Sequence, residues 1–200
     1  MDGISAGSLR RLLALVIVWL AAAPCAGAAV VEISAMAAYS SSKFDTNYTS
    51  EMHRYSGTFD LKFTAVSAIE FEYTDETTNY SYPSDLGLLA RATQEQTSYK
   101  DTIYSVNWVQ NLVSSKFILQ PYFVIGGGRM TRKYTMSLPE FGFGQTTTQN
   151  VFTGTGGVGL RLFLTRSMAI KGELKSYVPN FQFSKWKDNQ ALSLGLSWAF

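Results

Sequence analysis

The chain has 200 residues, of which 16% are charged and 14% aromatic, and its formal net charge is +2. The charged fraction is below the roughly 25% of soluble domains, and so small a net charge gives no indication of a nucleic-acid partner. The mean hydropathy is near zero, which excludes a membrane protein built from several apolar helices.

The N-terminal segment has the pattern of a secretory signal peptide. Arg10 and Arg11 precede an apolar run over residues 12–23, and Pro24 and the small residues 26–28 follow it. The run is short for a spanning helix, so an uncleaved anchor is the less favoured alternative. We predict cleavage after Ala28, which divides the chain into a signal peptide (1–28) and one domain (29–200). Cys25 then leaves with the signal, and the mature domain has neither disulfides nor a cysteine metal site.

Apolar and polar residues alternate with period two in segments along the rest of the chain, as they do in strands with two different faces. In the last segment, one face carries Leu192, Leu194, Leu196, Trp198 and Phe200. The fifth segment is apolar on both faces, so its orientation stays open. The eight predicted strands are 31–40, 52–64, 68–74, 98–110, 116–130, 148–163, 168–177 and 190–200.

The predicted connections alternate in length. Those after strands 2, 4 and 6 are short. Those after strands 1, 3, 5 and 7 are long, and the longest, 75–97, is rich in Thr, Ser, Tyr and Asn and has no period. Strands of this length can cross a bilayer, and short turns on one side with long loops on the other are typical of outer-membrane barrels. The predicted fold is all-β: a single closed antiparallel eight-stranded transmembrane β-barrel, an up-and-down meander.

The charges within the strands share the parity of the polar row. A lysine or arginine facing lipid at mid-bilayer would cost about 2–4 kcal/mol, so we expect this row to face the lumen, where opposite charges must pair. A soluble β-sandwich with one wet face is the alternative, and the end-to-end aromatic outer rows disfavour it. Lys62 is expected opposite Glu70, and Asp60 opposite Glu72, a like pair that needs Arg161 or a strand 7 lysine. The predicted lumen charge network is Asp60, Lys62, Glu70, Glu72, Arg161, Lys171, Glu173 and Lys175.

Four segments carry a resemblance to a known family: the signal peptide, PYFVIGGG at Pro121–Gly128, the stretch 155–177 and the terminal strand. The chain resembles the small eight-stranded outer-membrane barrels of the OmpA/OmpX and OmpW-like types. This resemblance implies the outer membrane of a Gram-negative bacterium, with its lipid and the β-barrel assembly machinery as partners. Gly195, Trp198 and Phe200 resemble the signal that this machinery reads. The resemblance does not define a function, because the same barrel hosts structural, adhesive, transport and enzymatic members.

Little in the sequence indicates catalysis. His53 is the only histidine, and Asp45, Ser50, Glu51 and Ser56 are its nearest candidate partners, but their spacing matches no catalytic motif. We interpret His53 as a solvated residue at the barrel rim. The sequence shows no metal-ligand cluster, and its glycine runs lie inside strands, where a phosphate loop does not form. No cofactor or metal is therefore expected.

The sequence favours a non-enzymatic barrel with a largely filled polar lumen, whose long external loops act at the cell surface. The protein is expected to be a monomer, and its external loops are expected to bind a surface ligand. A narrow channel for small or hydrophobic molecules is the alternative, motivated by the glycine-rich rows of strands 5 and 6. An outer-leaflet lipid-modifying enzyme using His53 is a third, less favoured possibility.

Overall fold

The computed structural model describes residues 31–45, 48–84, 93–114, 116–138 and 143–200. These residues form a closed barrel in which each strand pairs with its sequence neighbours and β1 pairs with β8. The predicted up-and-down meander of eight strands is thus confirmed. The signal peptide predicted for residues 1–28 lies outside the described residues.

All eight strands are antiparallel to their neighbours. They are β1 (Val31–Asp45), β2 (Tyr48–Lys62), β3 (Ser67–Ser84), β4 (Thr93–Asn111), β5 (Leu119–Leu138), β6 (Phe143–Phe163), β7 (Met168–Pro179) and β8 (Gln190–Ala199). Short turns join β2 to β3, β4 to β5 and β6 to β7, and all three lie at one end of the barrel, the short-turn end. We call the opposite end the open end.

The alternating apolar and polar residues of the sequence face the outside and the lumen of the barrel, respectively. In β8, Leu192 and Leu194 are 65% and 62% exposed, whereas Ala191 and Ser193 are buried. β5, apolar on both parities, is oriented by its neighbours: Phe123 and Ile125 face outward, and Tyr122 and Val124 face the lumen. The outer face is therefore largely apolar and the lumen largely polar.

The predicted long loops are mostly strand. β3 continues to Ser84 and β4 begins at Thr93, so most of the predicted loop 75–97 is a paired ribbon; β5 and β6 likewise extend through most of the predicted loop 131–147. β1 and β2 extend in the same way to Asp45 and Tyr48. Hydrophobic period reports burial of one face, and these extensions are polar on both faces, so they carry no such signal. Their Thr and Tyr content nonetheless suits strands.

The fourth predicted loop, 178–189, contains a turn and a short helix. Asn180 and Phe181 have positive φ angles of 52° and 55°, a conformation rare for residues other than glycine. A 3-10 helix, Phe183–Asn189, then leads into β8. No helix in the described part of the chain is long and apolar enough to cross a membrane.

Candidate functional site: the barrel lumen and its open end

Charged side chains near the short-turn end form the first layer of the lumen. Arg161 is 1% exposed; its Nε lies 3.0 Å from Glu32 Oε1, and its Nη2 donates to Asp60 Oδ2 at 3.1 Å. Lys62 Nζ lies 2.9 Å from Glu32 Oε2. We call Glu32, Asp60, Lys62 and Arg161 the lower ion cluster. Each of these charges has an opposite charge within reach, as burial requires.

A second group lies farther toward the open end. Lys175 Nζ lies 3.0 Å from both Glu70 Oε1 and Glu72 Oε1, and 2.8 Å from Glu173 Oε1. Lys171 Nζ lies 3.1 Å from Glu70 Oε2. We call Glu70, Glu72, Lys171, Glu173 and Lys175 the central ion cluster. All five side chains are at most 4% exposed, so they fill the middle of the lumen.

Neutral donors complete the coordination of the carboxylates in the central ion cluster. Asn107 Nδ2 donates to Glu70 at 2.9 Å, Ser105 Oγ donates to Glu72 at 2.9 Å, and Tyr177 OH donates to Glu72 at 2.9 Å. Across the two ion clusters, carboxylates outnumber bases by one. These neutral donors therefore supply hydrogen bonds where cations are lacking.

The predicted pairing within the second hairpin is wrong by two residues. Lys62 lies opposite Ala68, and Asp60 lies opposite Glu70. Thr64 Oγ1 accepts a hydrogen bond of 2.9 Å from the backbone N–H of Ser67, so the turn occupies residues 63–66, earlier than the 65–67 expected. Lys62 consequently pairs with Glu32 of β1. Of the two third partners predicted for Asp60, Arg161 or a lysine of strand 7, the structure has Arg161.

The lumen-facing glycines of β5 and β6 do not leave a cavity inside the barrel. An added Cβ at Gly159 would lie 2.2 Å from the Tyr122 ring, so this ring occupies the space beside Gly159. An added Cβ at Gly126 or Gly128 would lie within 2.3 Å of a β4 carbonyl oxygen. The glycines therefore permit close approach of strands and of an aromatic ring, which removes the argument for a channel.

An apolar layer separates the central ion cluster from the open end. Ile103, Met130 and Tyr177, each 1% exposed, pack together, and Val151 packs against them. Tyr177 also belongs to the polar layer below, through its hydroxyl. We call Ile103, Met130, Val151 and Tyr177 the apolar seal.

Above the apolar seal, the barrel opens into a cavity of about 590 Å³. Two ion pairs lie at this level: Arg54 with Glu76, and Arg132 with Asp101, where Arg132 Nη2 lies 2.5 Å from Asp101 Oδ2. Asn189 bridges both arginines, since its carbonyl oxygen accepts from Arg54 and its Oδ1 from Arg132, at 3.4 and 3.2 Å. We call this space the mouth cavity. Its lining includes Tyr80, Tyr99, Asp101, Arg132, Gln149, Asn180, Gln182 and Asn189.

The charged residues of the mouth cavity are absent from the predicted lumen charge network. The period-two row Glu70, Glu72, Thr74 continues to Glu76, so this parity was the available signal, but residue 76 fell within a predicted loop. Asp101 was inside the predicted fourth strand and shares the parity of its inner row. Glu32, of the lower ion cluster, lies on the polar face of predicted strand 1, but the predicted lumen charge network does not include it.

His53 lies on the outer face near the open end. Its ring packs against Tyr39, with the ring centroids 4.9 Å apart. Ser56 has the opposite parity and is buried in the lumen, so it cannot act with His53. Glu51 shares the outward parity and pairs across with Ser41 and Asn79. Among the described residues, no group of three His, Cys, Asp or Glu side chains could hold a metal ion.

The residues of the predicted assembly signal lie on the strand that closes the barrel or directly after it. Trp198 and Phe200 are exposed on the outer face, and their rings stack with centroids 6.4 Å apart. Gly195 lies opposite Met36 of β1, where an added Cβ would come within 2.0 Å of the Ala35 carbonyl oxygen. Gly195 therefore has a structural reason to lack a side chain, independent of recognition.

Solved structures of similar architecture come from several bacteria. Ail, the attachment invasion locus protein of Yersinia pestis, solved in complex with the heparin analogue sucrose octasulfate, is 15% identical; the match covers 85% of this chain and 96% of Ail, with a TM-score of 0.45. Neisserial surface protein A is 12% identical over 87% of this chain and 99% of its own, with a TM-score of 0.48. The N-terminal barrel of Pseudomonas aeruginosa OprF is 13% identical over 86% and 99%, with a TM-score of 0.46.

A search of curated proteins found no match to the chain. The family model described as "Outer membrane protein beta-barrel domain" matches residues 12–200, which includes every strand of the barrel. With its closed eight-stranded meander, its apolar outer face and its charged lumen, the chain belongs to the outer membrane protein β-barrel domain family.

Proposed function

We propose that this protein is a non-enzymatic outer-membrane barrel that anchors a binding surface outside the cell. The observation that supports this is the contrast between the two parts of the lumen. The middle is filled by the central ion cluster and covered by the apolar seal, whereas the open end holds the mouth cavity. A filled lumen suits an anchor, and a cavity of several hundred Å³ suits ligand binding.

We infer that the short-turn end faces the periplasm and the open end faces outward, because this is the usual orientation of such barrels. A tilted strand needs about 9–11 residues to cross the bilayer, whereas β3 to β6 have 18 to 21. Their excess length then projects beyond the membrane as a paired sheet. Across it, the Tyr80 and Tyr99 rings pack edge to face with centroids 5.7 Å apart, and the Tyr134 ring packs at a tilt against Tyr99 with centroids 5.0 Å apart. Such cross-strand aromatic pairs stabilise a sheet that has no apolar core.

The mouth cavity has the chemistry of a polar binding site. It offers tyrosine rings together with amide groups from Gln149, Asn180 and Gln182. Arg132 lies closer to the open end of the barrel than Tyr104, whose side chain faces outward. Because Asp101 accepts its hydrogen bonds, the pKa of the Arg132 guanidinium lies above its ordinary value, and the guanidinium stays charged. This fixed pair gives the wall a defined shape, and the amides supply both donors and acceptors to a surface ligand.

Conductance measurements test the filled lumen. Purified protein in planar lipid bilayers is expected to show no steady unit conductance, because the central ion cluster occupies the middle of the lumen and the apolar seal packs above it. Reproducible conductance steps would contradict the proposal and favour a narrow channel.

A shortened variant tests the surface role. Thr78 and Tyr99 lie opposite each other in the β3–β4 ladder, so residues 79–98 can be replaced by Asn-Gly, a sequence that suits a two-residue hairpin. Cells of a Gram-negative host that display wild-type protein are expected to attach to immobilised matrix proteins or glycans, and cells with the shortened variant are not. Heat-modifiable mobility on gels provides the folding control. Equal attachment by both strains would contradict a role for this extension.

We also propose that the chain is exported with cleavage after Ala28, that it works as a monomer, and that the assembly machinery recognises its terminal strand. The apolar run at 12–23, the small residues at 26–28 and the aromatic end of β8 support these points. Intact-mass measurement of protein purified from membranes tests the cleavage, with Ala29 expected as the first residue. A mass that includes residues 1–28 would contradict it.

A further inference from the structure

The outer wall of the barrel carries an apolar groove of about 530 Å³ on β6 and its neighbours. Gly154 and Gly156 form its floor, Ile125 and Leu174 its sides, and Phe183 and Trp186 of the 3-10 helix its roof. The side chains of the sides and roof are almost entirely hydrocarbon. The groove is thus continuous with the outer face that the barrel presents to lipid.

The groove exists because the chain folds back over the outer wall after β7. The positive φ angles of Asn180 and Phe181 reverse its direction, and the Asn180 N–H donates to the Phe152 carbonyl at 2.7 Å. Ser176 Oγ donates to the Trp186 carbonyl at 2.5 Å, which fixes the helix against the wall. Val178, whose parity faces outward, is consequently only 6% exposed.

The floor is open where a side chain could have filled it. An added Cβ at Gly156 would meet no atom within 4 Å, whereas an added Cβ at Gly154 would lie 3.1 Å from the Phe181 ring. Phe181 thus covers one end of the glycine pair, and the other end stays unfilled. A leucine at position 156 would occupy this space without displacing the backbone.

The position of the groove indicates what fills it. On β6, the outward-facing row from Leu162 to Phe152 has about the length that crosses a bilayer, and Gly154 and Gly156 lie in its external half. No water is present in the hydrocarbon region to fill such a groove. Phe183 and Trp186 belong to the connection between β7 and β8 at the open end, and aromatic rings favour the interface between headgroups and chains.

We propose that this groove binds one acyl chain of outer-leaflet lipopolysaccharide, with Phe183 and Trp186 beside the sugar end of its lipid A. The proposal rests on the orientation inferred above but not on the mouth cavity or on the closed lumen. A chain lying on the glycine floor contacts Ile125 and Leu174 on both sides. The acyl chain thereby occupies the space that bulky apolar side chains occupy elsewhere along the row from Phe152 to Leu162.

Native mass spectrometry of the purified full-length barrel tests this proposal with purified lipid A as the probe. Wild-type protein is expected to retain one lipid A molecule in detergent, and Gly156→Leu is expected to lower the affinity at least tenfold. Gly172→Leu is the matched control, because Gly172 faces outward on β7 outside the groove lining, and its added Cβ would lie 3.4 Å from the Leu194 side chain. This control is expected to behave like wild type.

Phe183→Ala provides a second variant, since Phe183 is 72% exposed and its loss leaves the barrel core intact. It is also expected to lose lipid A. Equal retention by all variants would overturn the proposal, and so would preferential retention of a glycerophospholipid added at the same concentration. Heat-modifiable mobility of each variant confirms that the barrel is folded in every comparison.

Discussion

The Tyr122 ring lies in the space beside Gly159, where an added Cβ would come within 2.2 Å of its Cζ. The Arg161 guanidinium stacks over the same ring at 4.4 Å, and the Tyr122 hydroxyl donates to Glu173 at 2.8 Å. The tyrosine therefore connects the lower and central ion clusters, and it can do so only because position 159 has no side chain.

Gly159→Ala is expected to destabilise the barrel by about 1–3 kcal/mol, the usual cost of overpacking a filled interior. The added methyl group must displace the Tyr122 ring and its hydrogen bond. Urea titration of protein folded into lipid vesicles, followed by tryptophan fluorescence, measures the free energy of unfolding. Gly57→Ala is the control, because its nearest atom would be 3.9 Å away. Equal stability of the two variants would contradict the tight fit.

Arg161→Met is expected to cost about 3–5 kcal/mol, because it leaves Glu32 and Asp60 buried with one cation fewer. The same urea titration reports this loss. Lys100→Met is the comparison, since Lys100 pairs with Asp75 at 3.5 Å but is 54% exposed; it should cost about 0–1 kcal/mol. If both variants lost similar stability, the lower ion cluster would not be the electrostatic core of the barrel.

His53→Ala is expected to leave lipid A chemically unchanged. His53 packs on Tyr39 and faces away from the lumen, and Ser56 lies on the other face of β2. Mass spectrometry of lipid A from cells that express wild-type or variant protein makes the comparison. A modification present with wild type and absent with the variant would contradict the non-enzymatic assignment.

The assembly signal is best tested by Phe200→Ala. Deletion of Trp198 or a substitution within β8, such as Ser197→Asp, would alter the stability of the barrel as well as its recognition by the assembly machinery. Phe200 is 68% exposed and follows the last residue of β8, so its loss should affect recognition more than folding. Less folded protein is expected in outer membranes, measured by heat-modifiable mobility. Leu192→Ala, 65% exposed at the other end of β8, is the control. Equal amounts of the two variants would show that Phe200 carries no such signal.

The strand count and the two faces of the barrel were predictable because burial on one side leaves a period of two in the sequence. The row Leu192, Leu194, Leu196 and its exposure illustrate this directly. Register was not predictable in the same way. A shift of two residues keeps every side chain on its face, so parity alone could not separate Lys62 opposite Glu70 from Lys62 opposite Ala68.

The extensions of β3 to β6 were missed for a related reason. Beyond Thr74 both faces of these strands are polar, and the pattern that reveals burial ends although the pairing continues to Ser84. The mouth cavity depends on these extensions and on Asn189, which follows β7 through a turn with unusual φ angles. Neither propensity nor period encodes such a return of the chain, so Asn189 could not be placed beside Arg54 and Arg132 from the sequence.

The ladders around the barrel differ greatly in length. β5 and β6 pair from Leu119 to Leu138, whereas β1 and β8 pair only from Glu32 to Ala37, the shortest ladder among the described strands. Each ladder bond must break for two strands to separate, so the β1–β8 seam is where the wall opens first. Backbone amides of β8 should accordingly exchange with deuterium faster than those at the centre of β5. The stability of the closed barrel thus depends on its shortest ladder, the pairing of its first strand with its last.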